Sequence, residues 1–316
     1  MRVLITGVTG FAGGHLAEVL AGQSELELFG LARHQWPQEL RHLSKRVSLE
    51  TIDLSDRAAL AAALTRIEPQ CIYHLAGYAQ VGRSAREADL AWKGNLTATR
   101  QLYDAVVDWG ERPRILFVGS GLVYESSASA DHSHAEACPL EPATPYAASK
   151  SAADLTSYQF ARMHGLDIIR ARPFNHLGPR QSGDYAVPNF ARQIAAIEDG
   201  RQPPVLETGN LSPFRDVSDV RDIALAYTAL MKHGRPGEAY NICSGTAHSI
   251  NDLLERLLAL ARVTVEVRTN PSLLRKVDEP FVRGDSSKLR RETGWAPRFS
   301  LNQTLADTLE YWRRRR

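Results

Sequence analysis

Apolar positions along the chain fall into two alternating textures: short unbroken runs, and longer stretches with helical spacing. Short apolar runs suit parallel strands buried on both faces, and an i, i+3, i+4 spacing suits helices that cover them. The first run, over 3–6, leads through Gly7, Gly10 and Gly13 into a helical pattern carried by Leu16, Val19 and Leu20. Strands are then predicted over 26–31, 47–52, 71–75, 114–118 and 167–172. Helices are predicted over 58–64 and 86–109, and from Tyr146 to about 164. This alternation predicts an α/β fold, a Rossmann-like doubly wound parallel sheet.

After Pro173 the texture changes. Gly, Pro and Asn are frequent through Pro213, and the repeating pattern is not extended. A helix over 219–232 and a strand over 239–243 return to αβ character, followed by a helix over 250–261, a strand over 264–268 and a closing helix over 301–312. A chain of 316 residues exceeds the usual size of one core. The expectation is a dinucleotide-binding domain from 1–173 and 214–244, with a smaller C-terminal α/β substrate-binding lobe from 174–213 and 245–316.

Composition removes several classes. A net charge of +2 gives no argument for nucleic acid, and the terminal arginines from Arg313 to Arg316 read as a solvated helix end. Cys71, Cys138 and Cys243 are far apart and odd in number, which argues against a disulfide framework and suits a reducing cytosol. No apolar run approaches the length needed to cross a bilayer, and the first residues lack the apolar stretch of a secretory leader. A cytoplasmic protein is expected. His132 and His134, with Asp131 and Glu136, are metal-type side chains, but no fourth ligand has a recognisable spacing. A solvated loop without metal is the expectation there.

The chemistry begins at the glycine loop. Gly7-x-x-Gly10-x-x-Gly13 lies between a strand and a helix, where glycine permits a tight turn and a close approach to a pyrophosphate. The helix start adds free N–H groups and a positive dipole end. The second strand ends in Ala32-Arg33-His34, without the carboxylate that would bind a ribose 2′-hydroxyl. Arg33 could pair with a 2′-phosphate. NADP(H) is therefore the preferred cofactor, with NAD(H) possible. Asp53 is a candidate acceptor for the adenine amino group. Tyr146 and Lys150, four apart, share a helix face. An ammonium beside a phenol would lower the phenol pKa and make it a proton donor or acceptor.

Together, the glycine loop, His74-Leu75-Ala76-Gly77, Ser120 and Tyr146-x-x-x-Lys150 resemble the extended short-chain dehydrogenases/reductases over essentially the whole chain. The resemblance implies a catalytic set of Ser120, Tyr146 and Lys150. It implies cofactor contacts from Gly7, Thr9, Gly10, Phe11, Ala12 and Gly13, from Asp53 and Leu54, from Leu75, Ala76 and Gly77, from Tyr146, and from Pro173. Lys150 would hold the nicotinamide ribose, and Asn95 would be structural.

Arg172-Pro173-Phe174-Asn175-His176-Leu177-Gly178-Pro179 is similar to nucleotide-sugar reductases and dehydratases that act on GDP-hexoses, as are Gly209-Asn210-Leu211 and Arg215-Asp216-Val217. The substrate implied is a GDP-linked 4-keto-6-deoxyhexose. Arg215, Arg275 and Arg192 would meet its pyrophosphate, Asp278 its ribose, Asn175 its pyrophosphate or sugar, and Ser84 its hexose. A homodimer through a four-helix bundle, from the helices over 86–109 and 146–164, is also implied. The dehydratases of this group carry an Asp-Glu pair after the catalytic hydroxyl residue. Here those positions are Gly121 and Leu122, so a ketone reductase is expected. Glu125 stands where the group commonly has glycine. The rivals are a 4,6-dehydratase or a 4-epimerase, and a cofactor-binding scaffold without catalysis. Retention of both Tyr146 and Lys150 argues against the scaffold.

Overall fold

The computed structural model describes residues 1–127, 129, 131–274 and 279–315. The chain opens with β1 (Arg2–Thr6), α1 (Phe11–Ala21), β2 (Glu27–Ala32), β3 (Val47–Thr51), α2 (Arg57–Ile67) and β4 (Cys71–His74). Next come α3 (Ala88–Trp92), a π-helical turn at Lys93–Thr97, α4 (Ala98–Trp109), β5 (Arg114–Val118), α5 (Pro145–His164) and β6 (Ile168–Pro173). The remainder holds β7 (Asn175–Leu177), α6 (Ala186–Glu198), β8 (Val205–Thr208), β9 (Phe214–Asp219), α7 (Val220–His233) and β10 (Ala239–Ile242). It closes with β11 (Ala247–Ser249), α8 (Ile250–Leu258), β12 (Glu266–Thr269), β13 (Phe281–Val282), α9 (Ser287–Thr293) and α10 (Leu301–Arg314).

Seven of these strands form one parallel sheet in the order β10-β6-β5-β4-β1-β2-β3. Side chains alternate across it. Val3 and Ile5 of β1 join a core with Leu16, Leu20, Tyr227 and Leu230 from α1 and α7. Leu4 faces the other way, toward Leu60, Leu64, Leu102 and Phe160 from α2, α4 and α5. Each such side chain removed from water contributes roughly 1.5–3 kcal/mol. The strand order reverses between β1 and β4, and that reversal opens a crevice at the carboxyl ends of the strands.

The long helix predicted over 86–109 is interrupted by the π-helical turn. Asn95 is buried there; its Oδ1 accepts from the Tyr78 amide at 2.9 Å and its Nδ2 donates to Ser149 Oγ at 2.9 Å. The wider turn presents Asn95 to α5. The start of α5 is fixed by Thr144, whose hydroxyl accepts the Ala147 amide at 3.2 Å, and by Pro145 in the first turn. Its end is set by Gly165, at φ +65°.

A second, four-stranded sheet holds β11, β9, β13 and β7, and β8 pairs with β12. A third core joins α6, α8 and α10 through Phe190, Ile194, Leu253, Leu257, Leu305 and Leu309. Two placements cross the division expected from composition: β9 lies in this second sheet, and Leu289 and Trp295 pack into the first core. Among the described residues, no helix is long and apolar enough to cross a membrane.

Candidate active site

Gly7 turns the chain out of β1 at φ +71°, and its amide donates to Leu31 O at 2.8 Å. A β-carbon on Gly7 would lie 2.8 Å from Cα of Ala76, so the loop lies directly against the exit of β4. A β-carbon on Gly13 would overlap the Gly7 carbonyl. Among the described residues no side chain caps α1 at Gly10, which leaves the helix start to a ligand. This cradle fits a pyrophosphate. Thr9, Phe11 and Ala12 are half-buried around it. The Phe11 ring stacks on His176, with centroids 5.8 Å apart and planes within 6°.

Arg33 stands exposed just beyond β2. Asp53 is held below the usual carboxylate range first by the amide and hydroxyl of Ser55, and further by the charges of Lys93 and Arg33. Leu54 beside it is buried. Arg33 and Asp53 therefore face one region at the edge of the crevice.

Tyr146 and Lys150 are both buried on α5, at 9% and 6% exposure. Ser120 follows β5; its hydroxyl accepts the Leu122 amide at 3.1 Å and lies near enough to the Tyr146 phenol to act on its pKa. Burial raises the Tyr146 pKa, and the Ser120 contact partly offsets that. Burial lowers Lys150 to about 8. Its ammonium donates to Val118 O at 2.9 Å and lies 5.8 Å over the Phe117 ring. This corrects the expectation of a phenol pKa lowered by Lys150. The ammonium turns to a β5 carbonyl, and desolvation governs the phenol. Gly77 allows the close packing here: a β-carbon on it would lie 2.6 Å from Asn95 Oδ1 and 3.4 Å from Lys150 Nζ.

The supporting shell is built from paired groups. His74 bonds Thr6 at 2.8 Å and Thr99 at 2.9 Å, and burial lowers it to about 3, so it is a neutral framework residue. Asp154, one turn beyond Lys150, accepts from Arg170 at 2.6 Å and from Arg172 at 2.8 and 2.9 Å. That triad ties α5 to β6, whose last residue, Pro173, is buried.

A cavity of about 270 Å³ opens beside these groups. Leu122 and Ala147 bring the catalytic elements to its wall, and Asn175 and Arg215 bring the second lobe. Arg215 Nη1 donates to Phe214 O at 2.8 Å and Glu279 O at 2.6 Å. Arg192 is exposed outside the wall and donates to Asn189, which lines it, at 2.7 Å. Ser84 is buried and gives its hydroxyl to Val81 O at 2.9 Å, with Val81 rather than Ser84 in the wall. Arg275 and Asp278 lie outside the described residues. His176, Gln181, Asp184, Tyr185 and Asn189 line the cavity without having been singled out from the sequence. Only the neighbourhood of Asn175 could have pointed to His176.

A glycine cradle at the reversal of a parallel sheet, with Ser, Tyr and Lys on the adjoining β5 and α5, defines an NAD(P)-dependent enzyme of the extended short-chain dehydrogenase/reductase type. Within that class the chain belongs to the GDP-mannose 4,6 dehydratase family, whose sequence profile matches residues 4–308. It is 34% identical to the GDP-6-deoxy-D-mannose reductase of Pseudomonas aeruginosa, over 99% of this chain and 98% of that protein. It is 30% identical to a dTDP-glucose 4,6-dehydratase of an Actinoplanes species, over 100% and 99%. The solved structure of RMD from Pseudomonas aeruginosa complexed with NADPH superposes with a TM-score of 0.85 at 32% identity, covering 99% of both chains.

Proposed function

We propose that the protein uses NADPH to reduce the C4 ketone of GDP-4-keto-6-deoxy-D-mannose, giving GDP-D-rhamnose. The observation that carries this reading is the surroundings of Ser120. Gly121 is pressed on the Phe174 ring, where a β-carbon would lie 2.6 Å from Cδ2, and Leu122 turns an apolar side chain into the cavity wall. Elimination of water from a hexose needs an acid and a base at those positions, and neither residue can move a proton. Reduction of a ketone needs only the donors that are present. The GDP-6-deoxy-D-mannose reductase relative and the NADPH-bound RMD structure support the same substrate and cofactor.

In this reading the C4 oxygen sits between Tyr146 and Ser120. Burial keeps the Tyr146 phenol protonated at neutral pH, the form required to donate a proton to an oxygen gaining negative charge. Ser120 accepts the Leu122 amide, and its own proton, directed at the phenol in the free protein, would turn to the same oxygen. NADPH, when bound, supplies the hydride for C4. Gly7, Gly10 and Gly13 with the start of α1 would hold its pyrophosphate, Arg33 its 2′-phosphate, and Asp53 and Leu54 its adenine. Lys150, beside Gly77, would hold the nicotinamide ribose.

Arg215, with Arg275 and Asp278, would take the GDP half of the substrate, with Asn175 at the sugar and Arg192 at the rim. Ser84 would reach the hexose only by releasing the Val81 carbonyl. Exposed Leu90 and Trp92 on α3, and Leu155, Tyr158 and Met163 on α5, support a homodimer through a four-helix bundle.

The test is NADPH absorbance in the presence of GDP-4-keto-6-deoxy-D-mannose. Absence of oxidation would sink the reductase reading. Conversion of GDP-mannose to its 4-keto-6-deoxy form by the protein alone would support a dehydratase instead.

A further inference from the structure

The loop between Ser120 and α5 carries a constellation that the reaction does not use. A carboxylate oxygen of Glu125, a ring nitrogen of His132 and the sulfur of Cys138 all lie within 4.8 Å of one another. The three side chains are partly buried. Among the described residues, Nε2 of His132 is shut off from water and has no hydrogen-bond partner. Cys138 is in no disulfide. A buried imidazole nitrogen without a partner is costly unless something satisfies it.

Neighbouring groups fix this geometry and do not compete for it. His134, next along the loop, has each ring nitrogen turned to a backbone carbonyl oxygen, Nδ1 to Arg283 O at 3.0 Å and Nε2 to Glu125 O at 2.9 Å. It is therefore no ligand, but it pins the backbone of Glu125. The Glu125 amide also donates to Pro139 O at 3.2 Å, which ties residue 125 to the strand of loop that carries Cys138. Glu136 is likewise spent, its carboxylate accepting the Asn241 amide at 2.8 Å. The cluster thus differs from the His132, His134, Asp131 and Glu136 set visible in the sequence. Its ligands are seven and six residues apart and follow no helical or zinc-ribbon spacing.

We propose that Glu125, His132 and Cys138 form a binding site for a borderline-soft divalent cation, with zinc the ion of choice. Thiolate plus imidazole selects zinc over magnesium or calcium, which prefer all-oxygen sets. The thiolate and carboxylate together balance the charge of the ion, and three protein ligands leave the fourth tetrahedral position to water. Cys138 packs with Leu122 and Leu140 on the cluster of Tyr124, Phe174 and Val282. Leu122 lines the cavity and Phe174 touches Gly121. A cation here would cross-link the loop whose two ends hold Ser120 and Tyr146. It would act by fixing that loop, and no reacting atom touches it.

The test uses the full chain, stripped with a chelator and titrated with zinc chloride against a competing indicator. One ion per chain is expected, with a dissociation constant of about 1 μM or tighter, together with a raised thermal midpoint. Cys138→Ser and His132→Gln are each expected to weaken binding more than about 100-fold, beyond what loss of an outer-shell partner costs. Reconstitution with cobalt(II) should give a thiolate-to-metal charge-transfer band that Cys138→Ser abolishes. Metal-free midpoints of both variants, measured beside the parent, separate loss of ligand from loss of fold. Absence of saturable zinc binding would overturn the proposal. So would an unchanged affinity and cobalt spectrum in a folded Cys138→Ser.

Discussion

Gly121 and Phe174 are in direct contact, so that a side chain at 121 would have to displace the ring: a β-carbon there would lie 2.6 Å from Cδ2 and 2.7 Å from Cγ. The ring cannot swing aside freely, because it is buried and stacks on Tyr124 at 6.2 Å. Gly121→Asp should therefore destabilise the protein by at least the roughly 1–3 kcal/mol typical of overpacking, with a further cost for a buried carboxyl. It should not confer dehydratase activity. Urea denaturation and product analysis with GDP-mannose check both halves. A variant as stable as the parent that dehydrates GDP-mannose would contradict the contact and the reading built on it.

Tyr146→Phe removes the proposed proton donor and leaves the ring in place. Turnover should fall by about 10²–10⁴, with NADPH affinity nearly unchanged. Ser120→Ala should lower kcat by about 10²–10³, the usual cost of one donor to a developing oxyanion. The pH profile distinguishes the two roles. Ser120 lowers the Tyr146 pKa and burial raises it. Reduction should hold through neutral pH and decline as the phenol ionises, and Ser120→Ala should move that alkaline limb to higher pH. A limb that moves down would mean that Ser120 does not act on the phenol.

The sheet was legible because parallel strands buried on both faces leave unbroken apolar runs, and β1 to β6 fall within one or two residues of those runs. Helix α5 was expected from Tyr146 to about 164 and begins at Pro145, one residue earlier. Helix α6 was not, because Pro188 and Asn189 in its first turns carry the chemistry of a loop. Strands β11 and β13, of three and two residues, are too short to show a period. The π-helical turn left the apolar pattern intact and so read as continuous helix. At the site, the spacing of Tyr146 and Lys150 placed both on one face. The turn of the Lys150 ammonium to Val118 O depends on β5 lying beneath α5, which no local pattern encodes. His176, Gln181 and Tyr185 meet in the cavity only because β7, α6 and the loop between them close over it.

Arg33 is exposed at the end of β2, where no carboxylate offers itself to a ribose hydroxyl. Arg33→Ala should weaken NADPH binding by roughly 10–100-fold, the equivalent of one charge-assisted interaction. NADH binding should change little, since NADH lacks the 2′-phosphate. Fluorescence titration with both cofactors checks this. Equal weakening of the two would show that Arg33 supports the loop and does not read the phosphate.

Lys150 is held in the folded protein at a cost to stability. Burial lowers its pKa from 10.5 to about 8, a displacement corresponding to roughly 3 kcal/mol against folding when the amine is charged. The sign follows from proton binding: between about 8 and 10.5 the unfolded chain binds the proton more than the folded one, so raising the pH relieves the cost. Lys150→Met keeps the length of the side chain and removes the buried charge, at the loss of the bond to Val118 O. The cofactor-free variant should therefore be more stable than the parent at pH 7, and the difference should shrink as pH rises past about 8. NADPH affinity and turnover should both fall, because the same ammonium is assigned to the nicotinamide ribose. Denaturation curves of both proteins across this pH range, set beside cofactor titrations, check the exchange of stability for function. A variant less stable than the parent at every pH would show that the contact with Val118 outweighs the desolvation of the charge.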